Sequence, residues 1–182
     1  MIRYQDNPPC LPPTVSSLTE LAGRWWVAHT RSRFEKAFAW DMCQRDIGYF
    51  LPLRDKVTVS HGRKRKVKMP LFTSYVFICG SDEDRYTALT TNRLCQTIEV
   101  ADQEQLVAQL SRIEKALHSE APLETLPHIP LGQRCRINAG VLAGVEGILI
   151  AKDKRARVAL EVSVLGQATV MEVDADLVTP LN

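Results

Sequence analysis

The sequence predicts an α+β first domain followed by a small all-β domain. Three observations predict it. Helix-spaced apolar stripes behind acidic or hydroxyl starts alternate with strand-like runs over the first two thirds of the chain. The segment 119–130, SEAPLETLPHIP, then holds three prolines and neither periodicity. Beyond it the runs RCRI, GILIA, RVALEVSV, ATVMEV and DLVT are separated by turn-rich pieces. Five short strands in about fifty residues suit a small closed barrel.

Residues 1–23 contain Pro-Pro twice and few large apolar groups, so they are expected to form a mostly disordered lead-in. Order is expected from Arg24. In WWVAHT, Trp25, Val27 and His29 fall on one strand face and Trp26, Ala28 and Thr30 on the other. Ser32-Arg33-Phe34-Glu35 has the form of a capping box, and Phe34, Ala37, Phe38 and Met42 follow at helical spacing. The spacing predicts a helix of roughly 12–14 residues stopped by Gly48. YFLPL reads as a short extended piece. DKVTVSHGRKRKVKM reads as two arms of a hairpin around His61-Gly62 with a basic tip.

LFTSYVFIC is the strongest strand, with Tyr75, Phe77 and Cys79 on one face and Val76 and Ile78 on the other. Ser81-Asp82-Glu83-Asp84 opens a second helix with acidic groups at its positive end. CQTIEV is another strand. Asp102 with Gln105 suggests a further capping box, and Leu106, Leu110, Ile113 and Leu117 form the stripe of a third helix ending near His118. The expected organisation is therefore a lead-in (1–23), a first domain (24–118), a linker (119–130) and a barrel (131–182).

Composition excludes several classes. With 182 residues, 45% of them hydrophobic, the chain can bury a core. No apolar run approaches the roughly 20 residues that span a bilayer, no secretion signal is visible, and a cytoplasmic location is expected. The five cysteines and four histidines are scattered without C-x-x-C or other ligand spacing, so no metal or other cofactor is expected. No nucleophile elbow, phosphate loop or dinucleotide fingerprint occurs, and enzyme activity is not expected. A thiol enzyme using Cys79 or Cys95 with a distant histidine is the catalytic alternative.

Net charge is only +2, but seven cations and one carboxylate, Asp55, lie between Arg54 and Lys68. A basic hairpin beside an aromatic strand combines phosphate attraction with an apolar docking surface. The alternative is that Phe72, Tyr75 and Phe77 are all core and the lysines keep an edge soluble.

The order strand, helix, LPL, basic hairpin, PLFTSYVF resembles the N-terminal domain of the NusG family of transcription elongation factors, where the matching run is close to LFPGYVFV. Trp25-Trp26-Val27 stands where the family has W-Y-V, and Phe34-Glu35-Lys36 where it has F-E-K. GQRCRINAGVLAGVEGILI resembles that family's KOW motif, with Gly132, Gly140, Gly144 and Gly147 at its glycine positions. The resemblance covers residues 24–182 and implies an antiparallel sheet with flanking helices, then an SH3-like barrel. It also implies a monomer that binds RNA polymerase at the clamp helices, bridges to the opposite lobe, and suppresses pausing or termination. On this resemblance Phe72, Tyr75, Phe77 and Trp26, with Trp25 as its neighbour, form the polymerase-docking surface. Thr87, beside Arg85 and Tyr86, faces the second lobe. Arg31, Arg33, Arg63, Lys64, Arg65 and Lys66 approach the non-template DNA strand or nascent RNA.

Departures from the family point to a subtype. The family's proline and glycine are replaced by Thr73 and Ser74, and a common aromatic by Val145. A family I-F-G-R turn is Val164-Leu165-Gly166-Gln167. In the family those aromatic and arginine positions serve contacts to Rho or a small-subunit ribosomal protein, so the resemblance leaves both contacts open. LPL and PLF look more like specialised, operon-specific antiterminators. A KOW-bearing RNA-binding or ribosome-associated protein is the alternative reading. The alternating Val158, Leu160, Val162 and Val164 favour a barrel over a helical form of the second domain.

Overall fold

The computed structural model describes residues 6–60, 63–119 and 121–181. The chain divides into two compact units, Met1–Gln103 and Glu104–Asn182. The first unit runs β1 (Arg24–Thr30), α1 (Glu35–Cys43), β2 (Gly48–Phe50), β3 (Leu53–Ser60), β4 (Arg63–Pro70), β5 (Tyr75–Gly80), α2 (Asp82–Thr90) and β6 (Leu94–Glu99). Four of its strands form an antiparallel sheet in the order β2-β5-β1-β6, while among the described residues β3 and β4 pair only with each other.

The central strands are apolar without interruption, WWVA in β1 and VFIC in β5, and such runs suit strands buried on both faces. Trp26, Ala28, Val76 and Ile78 join Phe38, Met42, Tyr49 and Leu51 in one core cluster. Trp25, Val27 and Phe77, on the opposite face, are buried as well. Each such aromatic or branched side chain contributes about 1.5–3 kcal/mol relative to exposure.

The first helix departs from expectation. α1 has nine residues, and its N-cap position, Phe34, makes no side-chain cap hydrogen bond. No capping box forms, because the helix starts at Glu35 rather than after Ser32, and the buried Glu35 carboxylate accepts from the Ser74 amide at 2.7 Å. The helix also stops early. The Ile47 amide bonds back to the Met42 carbonyl at 3.1 Å, and Asp46 takes a left-handed φ of 53°, so the chain turns before Gly48. By contrast, α2 starts where the sequence predicts, and the structure adds a capping box there. Asp84 N donates to Ser81 Oγ and Ser81 N to Asp84 Oδ2, at 3.1 and 2.7 Å.

Residues 6–23, expected as disordered, are ordered against the first unit. The Leu51 amide donates to the Cys10 carbonyl (2.8 Å), the Tyr49 hydroxyl to the Pro9 carbonyl (3.2 Å), and the Trp40 indole to the Asp6 carbonyl (3.3 Å). Leu18 is buried in a short 3₁₀ turn capped by Ser17. A proline-rich strip cannot donate regularly, but its carbonyls remain good acceptors.

The second unit contains α3 (Gln103–His118), β7 (Leu123–Leu126), β8 (Gln133–Ile137), β9 (Glu146–Lys152), β10 (Arg155–Val162), β11 (Gln167–Asp174) and β12 (Val178–Pro180). Its antiparallel sheet runs β12-β8-β9-β10-β11-β7. The sixth strand is a correction. β7 lies inside the segment read as linker, where Leu123 is buried and Leu123–Leu126 pair with Met171–Ala168 through the backbone. α3 falls in the second unit from Glu104 onward. Its buried Gln109 amide donates to Ser163 Oγ (2.7 Å) and accepts from Ser163 N (3.0 Å). Of the glycines, Gly147 sits where a Cβ would meet the Ala159 carbonyl at 2.6 Å, so only glycine permits this approach of β9 to β10.

Candidate functional site

The two features singled out in the sequence adjoin each other in the first unit, but they are built differently. The aromatic strand starts at a tight loop. Ser74 has φ 67°, a left-handed conformation that costs a side-chain-bearing residue about 1–2 kcal/mol. Glu35 holds that loop through the Ser74 amide, and the Thr30 amide donates to the Ser74 carbonyl at 2.8 Å. The chain then enters β5, whose register on β1 sets Tyr75 opposite His29. The two rings stack at 5.1 Å with 24° between their planes.

The predicted docking residues are thereby sorted. Tyr75 is half-buried and on the rim. Phe72 and Phe77 are buried (1% and 0% exposed) and meet edge-on at 6.1 Å, and Trp26 is 1% exposed in the core behind α1. These three present no contact surface in this structure. Phe72 and Phe77 support the strand from which Tyr75 projects, while Trp26 lies on its opposite face, and period-two alternation cannot tell a packed face from a docking face. Thr87 is half-buried on α2 beside Tyr86, which is 70% exposed.

The hairpin is the opposite kind of object. β3 and β4 pair from Leu53↔Pro70 to Ser60↔Arg63, and the tip, His61-Gly62, lies outside the described residues. Lys64 and Lys66 stand opposite Val59 and Val57 on one face. Arg65 stands opposite Thr58 on the other, with Arg63 two residues away on that same face. All four cations are exposed, as are Val57 and Val59. The hairpin is therefore basic on both faces. Arg31 and Arg33 are exposed at the entrance to α1. Lys36, three residues on, donates to the Lys68 carbonyl at 2.6 Å, fixing the base of the hairpin to α1. Burial pulls the Lys36 ammonium pKa down, with the Glu35 carboxylate opposing. From Lys68 to Arg63 the strand spans about 17 Å, so Arg63 lies that far along the hairpin from the base that Lys36 holds.

Sequence reading missed Glu35, Lys36 and His29. The F-E-K run was the available signal for the first two. His29 becomes visible only through the register of β1 on β5. Gly140 and Gly144 have φ of 79° and 81° in the β8–β9 loop, with Gly144 N donating to the Ile137 carbonyl at 2.7 Å, and Val141 between them is 77% exposed. Among the described residues no group of three or more His, Cys, Asp or Glu is placed to hold a metal ion, and no helix is long and apolar enough to cross a membrane.

A solved structure of Thermotoga maritima NusG resembles the chain at 14% identity and a TM-score of 0.52, covering 87% of this chain and 97% of that one. The crystal structure of an MjSpt4:Spt5 complex matches at 16% identity over 87% of this chain and 97% of that one, but its TM-score of 0.27 is too low to argue from. A comparison with curated proteins finds no match. The family described as transcription termination factor NusG matches residues 23–122, more than half of the chain. That span takes in the four-stranded sheet, the Glu35-held loop and the basic hairpin together, and it makes this chain a member of the NusG family, a transcription elongation factor in the general sense.

Proposed function

We propose that this factor acts by binding RNA polymerase at its clamp helices and suppressing pausing or termination, as a specialised, operon-specific member of the family. The observation that carries the reading is Tyr75. It is an aromatic ring on the rim of the strand that resembles the family's docking strand, stacked on His29 and backed by the Phe72–Phe77 pair. A rigid aromatic with a polar tip is a common anchor at protein interfaces. Thr87 and the exposed Tyr86 supply a second contact toward the opposite lobe. The hairpin supplies the third, a phosphate-directed contact to nearby single-stranded nucleic acid. The β-strand content of β8–β12 supports a KOW barrel as the separate second module.

The test is binding to purified bacterial RNA polymerase by the native chain and by Tyr75→Ala, each first shown by circular dichroism to be folded. Loss of a central aromatic anchor is expected to weaken binding about 30-fold. Absence of binding by the native chain overturns the proposal. The hairpin, basic on both faces and paired to no other strand among the described residues, favours one second reading, an RNA-binding protein. Tight binding to naked RNA without affinity for polymerase selects it.

A further inference from the structure

We infer that Glu35 is a positioning residue, whose buried carboxylate holds Ser74 in its left-handed conformation and so sets the direction in which Tyr75 leaves the loop. The inference rests on the reading of Tyr75 as the polymerase contact. Glu35 is 4% exposed, and a carboxylate is buried at high cost unless it is hydrogen-bonded. Phe34, the N-cap of α1, makes no side-chain cap hydrogen bond, and Glu35 Oε1 lies 2.7 Å from the Ser74 amide, thirty-nine residues away. Ser74 is a serine at φ 67°, a conformation that its surroundings must hold. Two hydrogen bonds hold it: Glu35 on its amide and the Thr30 amide on its carbonyl at 2.8 Å. The next residue is Tyr75, and its stack on His29 requires the backbone direction that this pair sets.

The experiment uses the full chain labelled with ¹⁵N and ¹³C. Amide exchange at Ser74 and the ring resonances of Tyr75 and His29 are read in Glu35→Ala, Glu35→Gln and Lys36→Met. With the acceptor removed in Glu35→Ala, Ser74 exchange is expected to rise roughly 10- to 100-fold and both rings to shift. Glu35→Gln keeps an oxygen acceptor and is expected to stay near native. Lys36→Met disturbs the same helical turn without touching Ser74 and is expected to leave its exchange unchanged. Native exchange and ring shifts in Glu35→Ala overturn the inference, as does a Glu35→Gln that behaves like Glu35→Ala. If Glu35→Ala does not fold, it is made together with Ser74→Gly. Glycine accepts the left-handed φ unaided, so native-like Tyr75 and His29 rings are then expected, and displaced rings overturn the inference. Polymerase affinity is read last. It is expected to fall in Glu35→Ala and hold in Glu35→Gln. A native chain that does not bind polymerase removes the docking reading and leaves the exchange result to decide Glu35.

Discussion

The strand β5 and the hairpin β3–β4 stand side by side in the sequence and differ in nearly every physical respect. β5 pairs on both edges, with β1 and β2, and four of its six residues are buried. Among the described residues the hairpin pairs only with itself, and it exposes its cations on both faces. One region is shaped by packing and the other by charge. The difference teaches that they should fail in different ways. Damage to β5 should appear as reduced stability, and damage to the hairpin as a weaker, salt-dependent attraction.

The largest expected effect tests the first half of that contrast. Phe77→Ala removes a fully buried ring packed edge-on against Phe72 and tilted against Phe50. It should cost about 3–5 kcal/mol, measured as the free energy of urea unfolding. A loss below about 1 kcal/mol would place Phe77 on an open face after all and erase the contrast. Next comes the hairpin. Replacing Arg63, Lys64, Arg65 and Lys66 with glutamine should leave the unfolding transition where it is. It should lower the slope of log K against log salt for a single-stranded oligonucleotide by about 0.7 for each phosphate no longer neutralised. An unchanged slope would make the hairpin merely a solvated arm.

How much of this could be read beforehand follows from where the information sits. The strands β1, β5 and β10 and the start of α2 were legible because each is specified by residues close in sequence. The two S-x-x-acid patterns show the limit. Ser81 and Asp84 close a capping box, whereas Ser32 and Glu35 do not, because α1 starts at Glu35 itself, whose carboxylate meets Ser74 across thirty-nine residues. Residues 6–23 and β7 were missed for a related reason. Their order depends on backbone carbonyls and ladder bonds, as at Cys10 and at Leu123–Leu126, which leave no mark on residue type. In the candidate site, charge was legible and depth was not. The cations are exposed as expected, but nothing local distinguishes Tyr75 on the rim from Phe77 beneath it.

A smaller effect probes depth along β5 through Cys79. Burial, reinforced by the Asp84 carboxylate, pushes its thiol from an ordinary 9.0 to about 11. Because the folded value is raised, the neutral thiol contributes stability that is fully present below pH 9 and lost as pH climbs through 11. Cys95, exposed on β6, should label with iodoacetamide at pH 8. Cys79, buried and with its thiol held neutral, should label far more slowly than Cys95 at that pH. Rapid labelling of Cys79 at pH 8 would mean that β5 opens readily, and would revive the thiol-enzyme alternative.

The smallest effect is the sharpest test of how the two regions meet. Ser74 occupies a left-handed turn where the family pattern has glycine, and the strain of roughly 1–2 kcal/mol is offset by the hydrogen bonds from Thr30 and to Glu35. Ser74→Gly removes the strain and keeps both bonds, since they involve only the backbone of residue 74. Against this stands the greater freedom of glycine in the unfolded chain, about 0.5–1 kcal/mol. The net should be a gain near 0.5 kcal/mol, a rise of about 2 °C in Tm, with polymerase affinity unchanged because Glu35 still aims the loop. A gain in stability accompanied by weaker binding would show that the strained serine itself, rather than Glu35, directs Tyr75, and that this turn trades stability for orientation while the neighbouring hairpin trades nothing.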